Sequence, residues 1–139
     1  MSKMMKELTI SATKENLYSV LALIDEQLEL IGCPMKAQMQ LDIAVEEIFV
    51  NIASYAYPDG NGTAVVRVEV QPDPPTAVIT FIDSGTPYNP LAKTDPDITL
   101  TAAERQIGGL GIFMVKKSMD DVKYTYADGC NILTLKKGW

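Results

Sequence analysis

Two polar residues in an apolar-periodic segment are spaced for joint chemistry. Glu47 and Asn51 are four residues apart, so a helix places them one turn apart on the same face. A carboxylate and a carboxamide that are partly buried together need a partner. A hydrated Mg2+ ion suits them, because it takes one or two protein oxygens and completes its shell with phosphates. A surface Glu beside a satisfied Asn is the commoner arrangement for such positions. Asp42 and Glu46 lie on the other side of this helix and are expected to stay in solvent.

A second candidate lies where a uniformly apolar segment ends in Asp83-Ser84-Gly85. A carboxylate at the end of a buried strand can accept hydrogen bonds from an exocyclic amine, and a glycine lets backbone approach a flat ring closely. The alternative is an ordinary turn at the end of a strand, which these residue types also favour. Alone, the tripeptide does not distinguish the two.

A third candidate is the glycine-rich run Gly108-Gly109-Leu110-Gly111, which directly precedes an apolar helical pattern. Glycines permit unusual backbone torsions, so successive N–H groups can point inward at a helix N-terminus and bind an anion. Two familiar phosphate-binding patterns are excluded. The chain has no G-x-x-x-x-G-K-[ST], and the run lacks both the third glycine and the preceding strand of a dinucleotide fingerprint.

Composition excludes several functional classes. The 139 residues contain no histidine, which removes Ser-His and Cys-His nucleophile pairs and His-ligated zinc. The net charge of −6 argues against a nucleic-acid partner. Cys33 and Cys130 have no metal-like spacing. No segment has the roughly 20 apolar residues of a membrane span or the apolar run of a signal peptide, so a cytoplasmic location without membrane contact is predicted.

Apolar residues at three- and four-residue spacing predict the helix that carries the first candidate. One helix is predicted to be capped by Thr13 and to end near Ile31, before a Gly32 stop. A second is predicted from about Met35 to Tyr57, with Tyr55 in its core stripe. Glu47 and Asn51 then lie on the shoulder of that stripe, at the border between core and solvent.

The order of the predicted elements indicates the fold class. Strands are predicted at residues 6–11, 63–70, 76–83, 122–127 and 131–136, with a third helix at about 109–119. Asp128-Gly129 predicts a two-residue hairpin turn. This order describes an α+β two-layer sandwich, with helices on one face of a mixed, mostly antiparallel sheet, in a single domain over residues 1–139. The long loop at 84–107, with a short helix capped by Thr101, is typical of a functional lid.

The three candidates, in this order and with the loop between the second and the third, resemble the GHKL ATPase superfamily, which shares the Bergerat nucleotide-binding fold. The N box matches at Glu47-x-x-x-Asn51, the first glycine box at Asp83-x-Gly85 and the second at Gly109-x-Gly111. The stand-alone bacterial anti-sigma factor serine/threonine kinases are the most similar members. They have about this length, an E-x-x-x-N helix ending in aromatics as at residues 51–57, and a junction similar to residues 105–112.

The resemblance implies a kinase that depends on ATP and Mg2+. Glu47 would be the general base that activates a serine hydroxyl or a water, and Asn51 would hold Mg2+. Asp83 would bind the adenine amine, with Gly85 beside it. The kinase would phosphorylate a small antagonist protein in trans and would sequester a sigma factor when that antagonist is modified. Homodimerisation is a further expectation from the family.

The resemblance also assigns residues in the second half of the chain. Arg105 would meet the γ-phosphate or a partner, and Thr134 matches the position of a Thr that the family often places beside the adenine-binding Asp. The glycine loop would cover the phosphates with Gly108, Gly109, Leu110 and Gly111. The chain departs from the family in having no histidine near the end of the N-box helix, where kinase members often carry one.

Two other functional classes are compatible with the same sequence. A non-catalytic, ATP-gated binding module would use the lid only to report nucleotide state to a partner. The presence of both Glu47 and Asn51 disfavours it, because a chain without catalytic function would more readily have lost one of them. A structural interaction domain that binds no nucleotide is the third interpretation.

Overall fold

The structure, a computed structural model, describes residues 4–92 and 109–139. Five strands, three α-helices and two short 3-10 helices follow one another along these residues. In chain order they are β1 (Met4–Ser11), a 3-10 helix (Lys14–Asn16), α1 (Leu17–Leu30), α2 (Met35–Tyr55), β2 (Thr63–Pro72), β3 (Pro75–Asp83), a 3-10 helix (Pro90–Ala92), α3 (Gly109–Ser118), β4 (Asp121–Ala127) and β5 (Cys130–Gly138). Most of the predicted lid, with its short helix at Thr101, lies outside the described residues.

The strands form one five-stranded sheet in the order β1-β2-β3-β5-β4. The predicted α+β two-layer fold is confirmed, but every ladder among the described strands is antiparallel, so this sheet is not mixed. β3 and β4 run in the same direction, but they are not neighbours. The second strand of the hairpin, β5, lies between them and pairs antiparallel with each. The register then sets Asp83, the last residue of β3, opposite Asn131 of β5.

The two long helices pack their apolar faces against one face of the sheet. Val20 and Ile24 of α1 and Val45 of α2 are fully buried, as the helical spacing predicts. The sheet contributes the side chains that alternate inward along β2 and β3, namely Ala64, Val66, Val68, Val70, Ala77, Ile79 and Phe81. Burial of each large apolar side chain contributes about 1.5–3 kcal/mol, which fixes α2 on the sheet.

Tyr55 departs from the predicted core stripe. Its side chain is 57% exposed, because the last turn of α2 borders a surface pocket instead of the core. The tyrosine ring lies 6.1 Å from the ring of Tyr88, between centroids. None of the described helices combines the length and the apolarity needed to cross a membrane.

Local signals end most elements where the sequence predicts. Gly32 has a φ of 68° after α1, and the Asp128-Gly129 turn has φ values of 54° and 77°. The predicted cap at Thr13 is wrong in detail: Thr13 precedes the first 3-10 helix, and its side chain makes no capping hydrogen bond. Asn16 instead donates from Nδ2 to the carbonyl of Ser11, at 2.9 Å, and so fixes the entry to α1.

The end of β5 is tied to the end of α3 and to the start of β3. Lys137 donates from Nζ to the carbonyl of Ser118, at 2.8 Å. The backbone N–H of Trp139, the single tryptophan, donates to the carbonyl of Pro75 at 3.2 Å, and its side chain packs against the core. This end of the sheet is therefore closed by contacts from the last residues described.

Candidate functional site

Glu47 lies half-buried on the face of α2 that is turned toward α3. Its carboxyl group accepts a hydrogen bond from the side chain of Asn51, one turn later on the same helix. Burial raises the pKa of Glu47 above its usual 4.5 and the charge of Glu46 adds to this, while the hydrogen bond from Asn51 opposes it. A carboxylate with a raised pKa is a stronger proton acceptor. The structure thus brings the two residues of the first candidate together as predicted.

A glycine of α3 covers the carboxyl group of Glu47. A Cβ atom added to Gly111 would overlap the carboxyl carbon and both carboxylate oxygens of Glu47. Gly109 and Leu110 open the same helix. The glycine-rich run therefore reaches the first candidate directly, and a side chain at position 111 would require the Glu47 carboxylate to move from this position. Gly108 and Arg105 lie outside the described residues.

Asp83, the last residue of β3, has a buried carboxylate, and one of its oxygens accepts two hydrogen bonds. Its side chain is 6% exposed, and its Oδ1 accepts from the backbone N–H of Gly85 and from Nδ2 of Asn131, each at 2.9 Å. Hydrogen bonds to a carboxylate of this kind are stronger than those between neutral groups. The Asp83 side chain is therefore held in one orientation at the wall of a pocket.

The structure gives Gly85 a different role from the predicted one. A Cβ atom at Gly85 would overlap the carbonyl group of Ala56, directly after α2. The next residue, Thr86, donates its backbone N–H to that same carbonyl at 2.7 Å. The glycine is thus required by the close approach of the loop to the end of α2, whereas the sequence suggested the approach of a flat ring.

These elements surround one pocket between α2, the end of β3 and the β4–β5 hairpin. Its polar wall consists of Asn51, Asp83, Thr86, Tyr88, Tyr124 and Asn131. Its apolar floor consists of Ile48, Ile52, Phe81 and Leu133. The pocket encloses about 40 Å³ of free space, which holds a few waters at roughly 10–15 Å³ each. The pocket is partly open to solvent, so this volume describes its inner part alone.

Asn131 is the site residue that the sequence reasoning missed. It is 6% exposed and faces Asp83 across the β3–β5 ladder. The prediction that Thr134 lies beside Asp83 is wrong. Thr134 pairs with Thr80, three residues further along the ladder, and its side chain lies on the opposite face of the sheet from Asn131. The alternation of inward and outward residues, counted from Leu133 and Leu135, is the signal that excludes Thr134 and selects Asn131.

Two side chains of α2 offer oxygen donors of the kind that Mg2+ prefers, and one of them, Asn51, lines the pocket. The carboxylate of Glu47 and the carboxamide of Asn51 are both half-buried on one face of α2. Within residues 4–92 and 109–139, no three Asp, Glu, Cys or His side chains gather closely enough to hold an ion by themselves. These residues fit a magnesium ion that takes its other ligands from phosphates and water.

Comparison with known proteins identifies the family. A family model described as a histidine kinase-like ATPase domain matches residues 10–137, which is most of the chain. The chain belongs to this family. The resemblance to the GHKL superfamily is thereby confirmed.

Named relatives of this ATPase domain are serine kinases. The serine-protein kinase RsbW of Listeria monocytogenes is 28% identical over 109 residues, which cover 76% of this chain and 69% of the relative. The serine/threonine-protein kinase BtrW of Bordetella bronchiseptica is 25% identical over 100 residues, covering 72% of this chain and 70% of the relative. The chain is thus similar to bacterial protein kinases over most of its length.

A solved structure has the same fold as this ATPase domain. The crystal structure of the RsbU and RsbW domains of a Mycobacterium tuberculosis protein matches with a TM-score of 0.65 and 20% sequence identity. The match covers 95% of this chain and 32% of that chain, so this chain spans about a third of its length. At this identity the match shows the fold alone.

Proposed function

We propose that this ATPase domain is an anti-sigma factor kinase that transfers a phosphoryl group from Mg·ATP to a serine or threonine hydroxyl of a small antagonist protein. The observation that carries the proposal is the Glu47 carboxylate. It is half-buried, has a raised pKa, lies one turn from Asn51 and is covered by Gly111. A residue in this position can accept the hydroxyl proton as the oxygen attacks phosphorus.

The pocket supports the ATP part of the proposal. Asp83 presents a fixed carboxylate that would accept a hydrogen bond from the amine of adenine. Ile48 and Phe81 supply an apolar floor for a flat ring. Mg2+, held through Asn51, would neutralise phosphate charge when bound. Thr134, on the far face of the sheet, has no part in this arrangement.

Catalysis by so few residues is chemically sufficient. Phosphoryl transfer depends on positioning and on charge neutralisation more than on covalent steps. One general base, Glu47, and one metal-binding amide, Asn51, supply the groups that the chain itself must contribute. Gly109, Leu110 and Gly111 begin a helix beside Glu47, so the backbone N–H groups of its first turn are available to phosphate oxygens.

The partner assignment rests on the relatives. Both named relatives are serine or serine/threonine protein kinases, and RsbW-type domains are the fold match. By this similarity we propose that the substrate is a protein and that a sigma factor binds in alternation with it. We also propose that the domain acts in the cytoplasm as a homodimer. Direct contact with nucleic acid or membrane is not part of the proposal.

The decisive experiment compares two neighbouring carboxylates. Glu47→Gln should abolish transfer of labelled phosphate from ATP to the small proteins that co-purify from the native host, while ATP affinity stays within about threefold. Glu46→Gln is the matched control, since Glu46 is exposed and one residue away. Removal of a general base should cost about 10²–10⁴-fold in rate. Full activity of Glu47→Gln would remove Glu47 from its assigned role.

The same experiment tests the competing interpretation. A non-catalytic, ATP-gated module would bind ATP in both variants and transfer phosphate in neither variant nor the wild type. A ligand present at 100 times its Kd stabilises the folded state by about 2.7 kcal/mol, so ATP binding is visible as a rise in melting temperature. No rise at millimolar Mg·ATP would exclude both ATP-dependent functions.

A further inference from the structure

Asn131 uses every hydrogen-bonding group of its side chain within the protein. Its Nδ2 donates to Oδ1 of Asp83, at 2.9 Å, and to the carbonyl of Thr86, at 3.0 Å. Its Oδ1 accepts from the backbone N–H of Tyr88, at 3.1 Å, and from the hydroxyl of Tyr124. A carboxamide has two N–H donors and two acceptor lone pairs, so this side chain has no capacity left for a ligand.

The surroundings of Asn131 permit only one orientation of its amide. Rotation by half a turn would bring Oδ1 against two acceptors, the carboxylate of Asp83 and the carbonyl of Thr86. It would also turn Nδ2 toward the N–H of Tyr88. A buried polar group without a partner costs about 1–3 kcal/mol, so the donor edge faces Asp83 permanently.

We propose that Asn131 is a positioning residue for the nucleotide base: it fixes Asp83 as the acceptor for the ligand amine and holds the pocket wall at Thr86 and Tyr88. This inference rests on the proposed function, because the base is that of ATP. Asn131 joins the end of β3, the loop that follows it and β4 through four bonds, and three of its four partners (Asp83, Thr86 and Tyr88) lie within six residues of one another.

The absence of charge on its side chain makes Asn131 suitable for the position beside Asp83. A carboxylate of the same shape would keep the volume of the side chain but would replace the Nδ2 donor by an oxygen facing Oδ1 of Asp83. Two buried carboxyl groups at that distance cannot both be ionised without a large penalty, so they hold one proton between them. A neutral carboxamide avoids this competition, because its Nδ2 donates to Oδ1 of Asp83 without sharing a proton with it.

The test is the substitution Asn131→Asp, with ATP affinity measured from pH 6 to pH 9. At pH 6 a proton shared by the two carboxyl groups restores a bond similar to the native one. At pH 9 that proton is lost, and the two groups repel each other. The ratio of the Kd of the variant to that of the wild type should therefore rise at least tenfold between pH 6 and pH 9. Preference for ATP over GTP should fall over the same range.

Two matched variants separate positioning from general structural damage. Asn61→Asp introduces the same charge in the exposed turn between α2 and β2, and its Kd ratio should stay constant with pH. Tyr124→Phe removes one donor to Asn131 but leaves the contact with Asp83, so it should weaken ATP binding less than fivefold at every pH. A Kd ratio for Asn131→Asp that does not change with pH would overturn the inference.

A measurement without nucleotide keeps the inference separate from the proposed function. Carbon-13 NMR of the carboxyl groups in Asn131→Asp should show one proton retained by the pair near neutral pH, with a lower melting temperature at pH 9 than at pH 6. Two independent, ordinary carboxyl titrations would contradict the inference. If the wild type fails to bind ATP while the shared proton is observed, the proposed function fails and the positioning of Asp83 by Asn131 stands.

Discussion

Asp42 and Glu47 are two half-buried carboxyl groups on the same helix, and their surroundings differ in a way that separates structure from function. The pKa of Asp42 is raised to about 7, mainly by burial and then by a hydrogen-bonded contact with Asp25 of α1 and by the charges of Asp25 and Glu29. Burial also raises the pKa of Glu47, but a donor, Asn51, opposes that rise. A raised pKa is common to both, so it does not by itself identify a catalytic group.

The partners of the two carboxyl groups account for the difference. Among the described residues, the buried Oδ1 atoms of Asp25 and Asp42 find no hydrogen-bond donor. A proton on Asp42, whose pKa is raised to about 7, would supply a donor to this pair of carboxyl groups. Glu47 has an amide donor, Asn51, and its carboxylate lies against Gly111 of α3. The first environment retains a proton, whereas the second leaves a carboxylate able to accept one.

The largest effect is expected from adding a side chain to α3 next to the Glu47 carboxyl group. Gly111→Ala adds a Cβ that would overlap the Glu47 carboxyl group, and we expect phosphoryl transfer to fall about 100-fold, since a displacement of 1 Å can cost that much. Transfer rate and melting temperature should be measured together. Met114→Ala, at an exposed position of the same helix, is the control and should retain its rate. Unchanged transfer in Gly111→Ala would show that the carboxylate does not need this space.

A smaller effect is expected from removing the charge of Asp42. Because the pKa of Asp42 is raised when folded, its stabilising contribution is complete below the unfolded value near 4 and is lost as the pH rises through about 7. Asp42→Asn should therefore match the wild type at pH 4–5 and melt about 3 °C higher at pH 8. That corresponds to roughly 1 kcal/mol after allowance for its partial exposure.

The control for the Asp42 prediction is a second carboxyl group on the same helix. Glu46→Gln, on the exposed side of α2, should change the melting temperature less between the two pH values than Asp42→Asn does. Phosphoryl transfer by Asp42→Asn should remain within about twofold of the wild type, because the Asp25–Asp42 contact lies at the seam between α1 and α2. A loss of transfer in this variant would show that the two carboxyl environments are coupled.

The smallest expected effect concerns the pH dependence of transfer. If Glu47 is the general base, as proposed, the rate of transfer should rise with pH through the raised pKa of Glu47 and level off above it. Removing the charge of Glu46 lowers that pKa, and Glu46→Gln should shift the midpoint of the rate profile downward by a few tenths of a pH unit. A midpoint that stays fixed would show that the charge of Glu46 is screened by solvent.

The elements of the fold were predictable where a local signal defines them. Helical spacing identified α2 and set Glu47 and Asn51 on one face, and Asp128-Gly129 identified the hairpin. The burial of Asp42 was not predictable. Its exposure depends on how α1 lies against α2, which no spacing within α2 encodes. The prediction that it stays in solvent is wrong for that reason.

The candidate site shows the same division between local and tertiary information. Asp83 was identified because it ends an apolar strand, and that position is independent of the neighbouring strand. Asn131 and Thr134 were distinguishable only through the register of β5 against β3 and the face of the sheet that each occupies. The carbonyl group of Ala56 leaves no room for a side chain at position 85, and the two residues, distant in sequence, meet only in the folded protein. Contacts of this kind arise from the assembled sheet, and sequence periodicity does not specify them.

The position of Trp139 has a practical consequence for spectroscopy. Its backbone bonds to Pro75, at the opposite end of β3 from Asp83, about 26 Å away at roughly 3.3 Å per residue. The tyrosines Tyr55, Tyr88 and Tyr124 instead line the pocket. Indole emission thus reports the integrity of the sheet at the end away from Asp83, whereas three of the six tyrosines lie where a bound ligand would change their surroundings.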